Sequence, residues 1–403
     1  MPELTIPELE AQILDHPQWQ SHLPSRQQQD PRLLDQICTQ ALNLLTGVDL
    51  TLTGDSFFVG AVDVLAGQEG AFYVLEANGG STRGFWSLPE AKIEAIYRAY
   101  GEALQWVDPD APLIIIGHVD DDVLLYERLL LAERLRAWSG KSVRLCPYSQ
   151  LVPALNFSEN WVTYANQRVA LLIGDGVARR HPKLSEHPCS RTLIVNRIFP
   201  LTDSKALTYH VVAEHAAELG NFGYRPLRFW EGFSEKSTLH AMKTAFESCK
   251  SILIKPHGGS GGCGLQWVTT ADAIASALQK SQAEFHAKFG ADRSPFPYTI
   301  SETIEGRTWR WQGKPYHFDL KIYIVRQNNT LVPVGVKIRR ARVPAGESTA
   351  SLRTNLTYGG GLAAERAGGI NPQTLEQIGL STADVARMVA GATLLVKRLC
   401  DVH

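Results

Sequence analysis

A chain of 403 residues with ordinary shares of apolar and charged side chains is long enough for two or three domains with sizeable cores, and its net charge of −1 argues against nucleic acid or an anionic membrane as partner. Six scattered cysteines with no C-x-x-C pair argue against a zinc or disulfide framework and for a reducing compartment. No apolar run approaches a membrane span, and MPELTIPELEAQ carries acids where a secretory signal would carry bases, so the expected location is cytoplasmic.

Residues 1–50 read as helical and polar. HPQWQSHLPSRQQQDP is a connection, after which Asp30-Pro31 opens a helix, RLLDQICTQALNLL. Phe57 to Gly84 reads as two strands joined by the turn AGQEG. Strand periodicity puts Glu76 and Asn78 on one face, with Asp63 across from them if the strands pair. Three converging oxygen ligands suit Mg²⁺, although a hairpin with a wet polar face fits the same letters. The following ANGGSTRG offers backbone amides to an anion. LPEAKIEAIYRAYGEALQW is a helix with Ile93, Ile96, Tyr97 and Tyr100 on one face, and VDPDAP is a linker.

PLIIIGH, YERLLLAERLRAWSG and KSVRLCPY form a strand–helix–strand unit, continued by VALLIG and TLIVNRIF. Residues 111–200 therefore read as a small parallel α/β domain. His118 with Asp120–Asp122 stands at a strand end where ligands bind, but a helix-capping cluster with a solvated histidine is preferred. LTDSKALTYHVVAEHAAELG is a helix with Asp203 or Ser204 as N-cap. Lys205 in its first turn opposes the helix dipole and implies a nearby anion.

SILIKPHGGSGGCGLQWV runs a buried strand into a glycine-rich loop able to wrap phosphates. It lacks the G-K-[ST] of a Walker A loop, and a strand follows it. Cys263 within it reads as a small loop residue, not a nucleophile. Downstream lie YTISETIEG, a long hairpin around Gln327-Asn328-Asn329, and SLRTNLTYGGG. Lys337 and Arg339 share a face of the second arm, with Arg340 pointing the other way. Buried arginines want anions. A final helix, TADVARMVAGATLLVKRLCDV, ends the chain.

Lys205, the IKPHGGSGGCG loop, SETIE, FDLKIYIV, the basic arm, LRTNLTYGGG and the D-x(12)-E-x-N hairpin together resemble the ATP-grasp superfamily. In most members that hairpin comes last; here it comes first. The order resembles a circularly permuted ATP-grasp protein, as in eukaryotic-type glutathione synthetase. The resemblance implies an α+β and α/β fold class: an ATP-grasp fold of two α+β subdomains with a small parallel α/β domain. The expected division is a metal-hairpin segment (1–110), the α/β domain (111–200), and an ATP-grasp domain with a glycine lid (201–403). The helices ending near Leu45 and Leu399 would lie together.

The resemblance also implies roles. Lys205 and Lys255 contact ATP phosphates, and Gly258, Gly259, Ser260, Gly261 and Gly262 close over them, the lid running to Gly264. Glu302, Thr303, Ile304 and Glu305 form the adenine hinge. Asp63, Glu76 and Asn78 hold Mg²⁺. Arg339 stabilises transferring phosphoryl charge, Arg353 and Asn355 orient phosphate or metal, and Lys321 stands where relatives often have arginine. The loop lacks the acidic residue of permuted glutathione synthetases, which puts glutathione in doubt as product.

The implied activity is an ATP-dependent carboxylate–amine ligase that forms an amide or peptide bond through an acyl phosphate and releases ADP and phosphate. Such chemistry needs positioning and fixed positive charge, not a nucleophilic triad. The alternatives are a phosphotransferase using the same site and a non-catalytic ATP-binding regulatory module. Expected partners are a small carboxylate and an amine, amino acids or a short peptide, with a homodimer left open.

Overall fold

Asp30 opens the first helix, α1 (Pro31–Leu44), with its side chain: Oδ1 accepts from the N–H groups of Arg32 and Leu33. In the computed structural model the described residues are 26–402 without 81–82, 121, 159, 175–176, 178–190, 260, 347 and 357–363. The expected helical content of residues 1–25, Ser260 of the glycine loop and the TYGGG stretch after Leu356 lie outside them.

The hairpin follows as β1 (Val59–Ala66) and β2 (Phe72–Asn78), then α2 (Glu90–Glu102). The middle of the chain gives β3 (Leu113–His118), α3 (Leu125–Ser139), β4 (Ser142–Pro147), α4 (Tyr148–Ala154), β5 (Leu155–Phe157), β6 (Val162–Tyr164), β7 (Gln167–Ile173) and β8 (Leu193–Val195). Strands β4, β3, β7 and β8 are parallel in that order, with β6 pairing antiparallel to β7 and β5 antiparallel to β6. The helix expected from a cap at Asp203 or Ser204 begins as α6 (Lys205–Glu214) and is broken after Glu214, continuing as α7 (Ala216–Gly220); a short helix, α5 (Phe199–Asp203), precedes it. Of the two expected caps Ser204 is the one used: its backbone is extended (φ −85°, ψ 106°) and its side chain accepts from Leu207 N.

Next come β9 (Phe229–Gly232), α8 (Glu235–Ser248), β10 (Ile252–Pro256), β11 (Gln266–Val268), α9 (Ile274–Phe289) and β12 (Tyr298–Glu302). They form an antiparallel sheet, β11-β10-β12-β9, with α8 and α9 packed on it. The chain ends with β13 (Thr308–Trp311), β14 (Lys314–Gln327), β15 (Thr330–Arg340), β16 (Ala367–Gly368), α10 (Pro372–Ile378) and α11 (Thr382–Val402). Asn328 and Asn329 have positive φ, the conformation a two-residue hairpin turn requires.

The N-terminal hairpin does not stand alone. Its first strand pairs with β14, giving the order β16-β15-β14-β1-β2. One face of this sheet packs on α1 and α11, which share a core through Leu34, Ile37, Leu45 and Leu399. The other face packs on α2 and α3, which are covered in turn by the parallel sheet through Ile114, Ile116 and Leu171. Two sheets thus enclose one helical layer.

Candidate functional site

A bulge aims the hairpin. Asp63 lies opposite Glu76 and Ala61 opposite Asn78, but Val64 pairs with Val74, so Leu75 is an extra residue on β2. Plain alternation would put Val74, Glu76 and Asn78 on one face. The bulge instead leaves Val74 in the core beside Val62 and Val64 and turns Glu76 to a pocket on the other side. Val74 and Ala77 both reach that core, which residues three apart cannot do on one face of an unbroken strand.

Across β1, the neighbouring strands carry buried charge. Asp63 is in register with Lys321, Lys321 with Lys337, and Asp319 with Arg339. Asp319 grips Arg339 with both oxygens, Oδ1 to Nε and Oδ2 to Nη2, each at 2.7 Å. Arg339 Nη2 also lies 2.7 Å from Asp63 Oδ2, and Lys321 Nζ lies 3.3 Å from Asp63 Oδ1. Thr354 Oγ1 donates to Asp319 Oδ2 at 2.5 Å. Burial alone would raise the Asp63 carboxyl, but the Arg339 and Lys321 charges outweigh it and hold it well below the usual range. Burial leaves Asp319 above its ordinary value. Arg339 lines the pocket, whereas the Arg340 guanidinium stacks on Tyr316 and Trp311 on the opposite face. Lys337 donates to the Gly84 carbonyl; burial, with Arg339 and Lys321 adding to it, pushes its ammonium down to about 7.

The facing wall comes from α6 and β10. Lys205 Nζ sits 3.5 Å from Glu76 Oε2, so the anion expected near this helix start is Glu76 itself. Lys255, at the end of β10, is buried and donates to the Tyr209 hydroxyl at 2.6 Å. Burial pushes it down to about 8, with Glu76 acting in the other direction. The glycine loop roofs the pocket. Gly258, Gly261, Gly262 and Gly264 all have φ between +64° and +74°, which side-chain-bearing residues rarely adopt. Its far end is fastened to α9: Cys263 Sγ donates to Glu284 O at 3.1 Å and Gly264 N to Glu284 Oε2 at 3.3 Å. Arg353 joins the same anchor, 3.0 Å from Glu284 and 2.6 Å from Leu265 O.

Asp63, Glu76, Lys205, Lys255, Arg339 and Asn355 thus line one cavity of about 130 Å³, with Gly259, Gly262, Cys263 and Arg353. Asn78, half-buried at the end of β2, is not among the residues that line it. Hard oxygens of Asp63 and Glu76, facing each other across the strand pair, fit a small divalent cation as donors. Among the described residues no cluster of three or more His, Cys, Asp or Glu could hold a metal by itself.

At the hinge, Glu302 binds Arg228 through both oxygens, Oε1 to the backbone N–H at 2.9 Å and Oε2 to Nε at 2.8 Å. The Thr303 N–H donates to Ser251 O, so it is not free to read an adenine edge as expected from the sequence. Ile304 packs against the Tyr73–Tyr209 cluster, and Glu305 is exposed.

Asn196 escaped the sequence reading. It is buried beyond β8, accepts from Phe58 N at 2.7 Å and donates to the carbonyls of Val59, Gly79 and Gly80 at 2.7, 2.7 and 2.9 Å. The Gly79 N–H donates to Thr202 Oγ1 at 3.1 Å, and a Cβ at Gly79 would meet that oxygen at 2.6 Å. The peptide after Asn78 is clamped from both sides. A lone asparagine in a strand exit carries no pattern that could have announced this. His118 is buried, its Nδ1 at 2.7 Å from Val119 O, so the expected solvated histidine is corrected; Asp122 caps Leu124 N and pairs with Arg83.

No family model matches the chain, and no curated protein matches its sequence. Solved structures do. A protein of Methylobacillus flagellatus KT described as a candidate gamma-glutamylcysteine synthetase superposes with a TM-score of 0.53 at 13% identity, over 91% of this chain and 92% of that one. The chain has the ATP-grasp fold. A glutathione synthetase-like effector of Globodera pallida overlaps at TM-score 0.43 and 14% identity (82% and 84% covered). A RimK-domain ATP-grasp protein of Sphaerobacter thermophilus DSM 20745 overlaps at 0.29 and 15% (70% and 99% covered). Within this ATP-grasp fold the cavity lies between the glycine-loop sheet and the long-hairpin sheet.

Proposed function

We propose that the chain is an ATP-dependent carboxylate–amine ligase working through an acyl phosphate, and that its strand order is a permuted ATP-grasp arrangement. The observation that carries this reading is the single cavity in which two lysines, a glycine loop, two facing carboxylates and a buried arginine converge. Lys205 and Lys255 would neutralise phosphate oxygens, and the loop amides would close over them. Asp63 and Glu76, with Asn78, would hold Mg²⁺, whose charge lowers the barrier to phosphoryl transfer. Glu76, if it held the metal, would release Lys205, now its ion-pair partner, for phosphate. Arg339, held in the Asp319 fork, supplies fixed positive charge for the oxyanion formed when the amine attacks. Arg353 and Asn355 orient the phosphates, Arg353 also fastening the loop. Ile304 and the Thr303 carbonyl take the adenine edge, and Glu305 the ribose.

A cavity of about 130 Å³ is below the roughly 300–1,000 Å³ of sites that enclose a whole ligand, so the glycine loop lifts for ATP to enter. The test is phosphate release from ATP across pairs of amino acids. A ligase releases ADP and phosphate only with carboxylate and amine together. ADP without free phosphate, on one substrate alone, would mark a phosphotransferase. Glu76→Gln should keep the fold and lower turnover at least 100-fold at saturating MgATP, because lost metal charge acts on the transition state. Near wild-type turnover would sink the metal assignment.

A further inference from the structure

We propose that Tyr209 is a positioning residue for the phosphate-binding lysine, tying Lys255 to the strand bulge that aims Glu76. The inference rests on the ATP-site reading above. The geometry fixes every proton in the chain of contacts. An ammonium can only donate and a peptide carbonyl can only accept. The Tyr209 hydroxyl, 2.6 Å from Lys255 Nζ and 2.9 Å from Leu75 O, therefore accepts from the lysine and donates to the carbonyl. Leu75 is the bulged residue, standing outside the paired register of β1 and β2. The hydroxyl thus takes up the carbonyl the bulge displaces and spends its lone pair on the lysine.

The helix delivers both contacts at once. Lys205 and Tyr209 are four residues apart in α6 and project from one face. Lys205 reaches Glu76, and Tyr209 reaches the residue before it. The Tyr209 ring is held edge-on by Phe229, centroids 5.5 Å apart, in a cluster with Tyr73 against which Ile304 packs. The ring keeps its place without the hydroxyl, so Tyr209→Phe removes the link and little else.

The experiment is a double-mutant cycle read by calorimetric binding of MgATP, with adenosine as a probe lacking phosphate. The proteins are wild type, Tyr209→Phe, Lys255→Met and the double variant. Tyr209→Phe is expected to weaken MgATP about 10-fold or more, the usual effect of losing a hydrogen bond to a charged group, and to leave adenosine unchanged. In the Lys255→Met background the same change should add nothing, because its effect passes through the lysine. Equal losses in both backgrounds, or equal losses for ATP and adenosine, would mean Tyr209 only packs, and the inference is overturned. So would unchanged MgATP binding by Tyr209→Phe. A wild-type protein that binds no adenine nucleotide overturns the ATP-site reading, and this inference with it.

Discussion

The parallel and antiparallel sheets cover the same helical layer but fill their strands in opposite ways. β3 buries LIIIGH in succession, and only its last residue is charged or polar. Residues 318–326 of β14 and 333–340 of β15 are as deeply buried, yet carry Asp319, Lys321, Arg326, Lys337, Arg339 and Arg340. Apolar burial stabilises a fold roughly in proportion to area, whereas a buried ion network often contributes nothing net and strongly penalises the loss of one member. A strand pair that keeps this many charges from water beside a cavity is built for chemistry, while the parallel sheet is built for packing.

The sharpest way to test that contrast is to truncate one residue in each sheet. Arg339→Ala leaves Asp63 and Asp319 buried against each other without their shared cation. The expected loss is about 3–5 kcal/mol of unfolding free energy, together with activity. Ile115→Val in the parallel sheet should cost only about 0.5–1.5 kcal/mol and leave activity intact. Urea denaturation of both variants measures it. Equal and small losses would show that the network is not energetically coupled and would break the comparison.

A smaller effect is expected at Asn196, where the two regions are joined. Removing its side chain leaves the Phe58 N–H and three carbonyls of the hairpin without their present partner. Asn196→Ala should cost about 2 kcal/mol, since water reaches such buried groups poorly. It should also lower turnover, because the peptide following Asn78 is no longer held. A variant as stable and as active as wild type would mean that Thr202 alone fixes this turn.

The contrast also explains what the sequence disclosed. The parallel unit was legible from runs such as PLIIIGH, because continuous apolar stretches have one common meaning. The long hairpin was legible from its alternation and its Asn-Asn turn. That Asp63 could face Glu76 was legible once the two strands were taken as a hairpin, but the bulge was not: an unbroken register from the turn would set Asp63 opposite Leu75, and one extra residue leaves no composition signal. The helix start at Ser204 was legible in LTDSK as an N-cap, whereas the short helix Phe199–Asp203 before it and the break after Glu214 were not. Asn196, Tyr209 and Asp319 act through partners distant in sequence, so no local pattern could nominate them.

The smallest expected effect per unit change is that of pH, and it too should separate the two sheets. Buried Lys337 and Lys255 hold their protons with values near about 7 and about 8, against about 10.4 for lysine in an unfolded chain. Both are depressed, so above pH 7 the unfolded chain binds more protons than the folded one. Unfolding free energy therefore rises with pH as the folded-state ammonium groups are released. Each lysine contributes a slope of at most about 1.4 kcal/mol per pH unit. From about pH 8.5 the raised thiols of buried Cys38 and Cys146 oppose this rise, because the unfolded thiols ionise first, so the lysines are read most cleanly below it. Urea midpoints from pH 6.5 to 8.5 should climb for wild type and climb less for Lys337→Met, which removes one titrating group from the antiparallel sheet. Identical slopes for the two proteins would mean that Lys337 titrates as an exposed lysine does. The charged face would then be wetter than its burial implies, and the distinction between the two sheets would rest on Arg339 and its carboxylates alone.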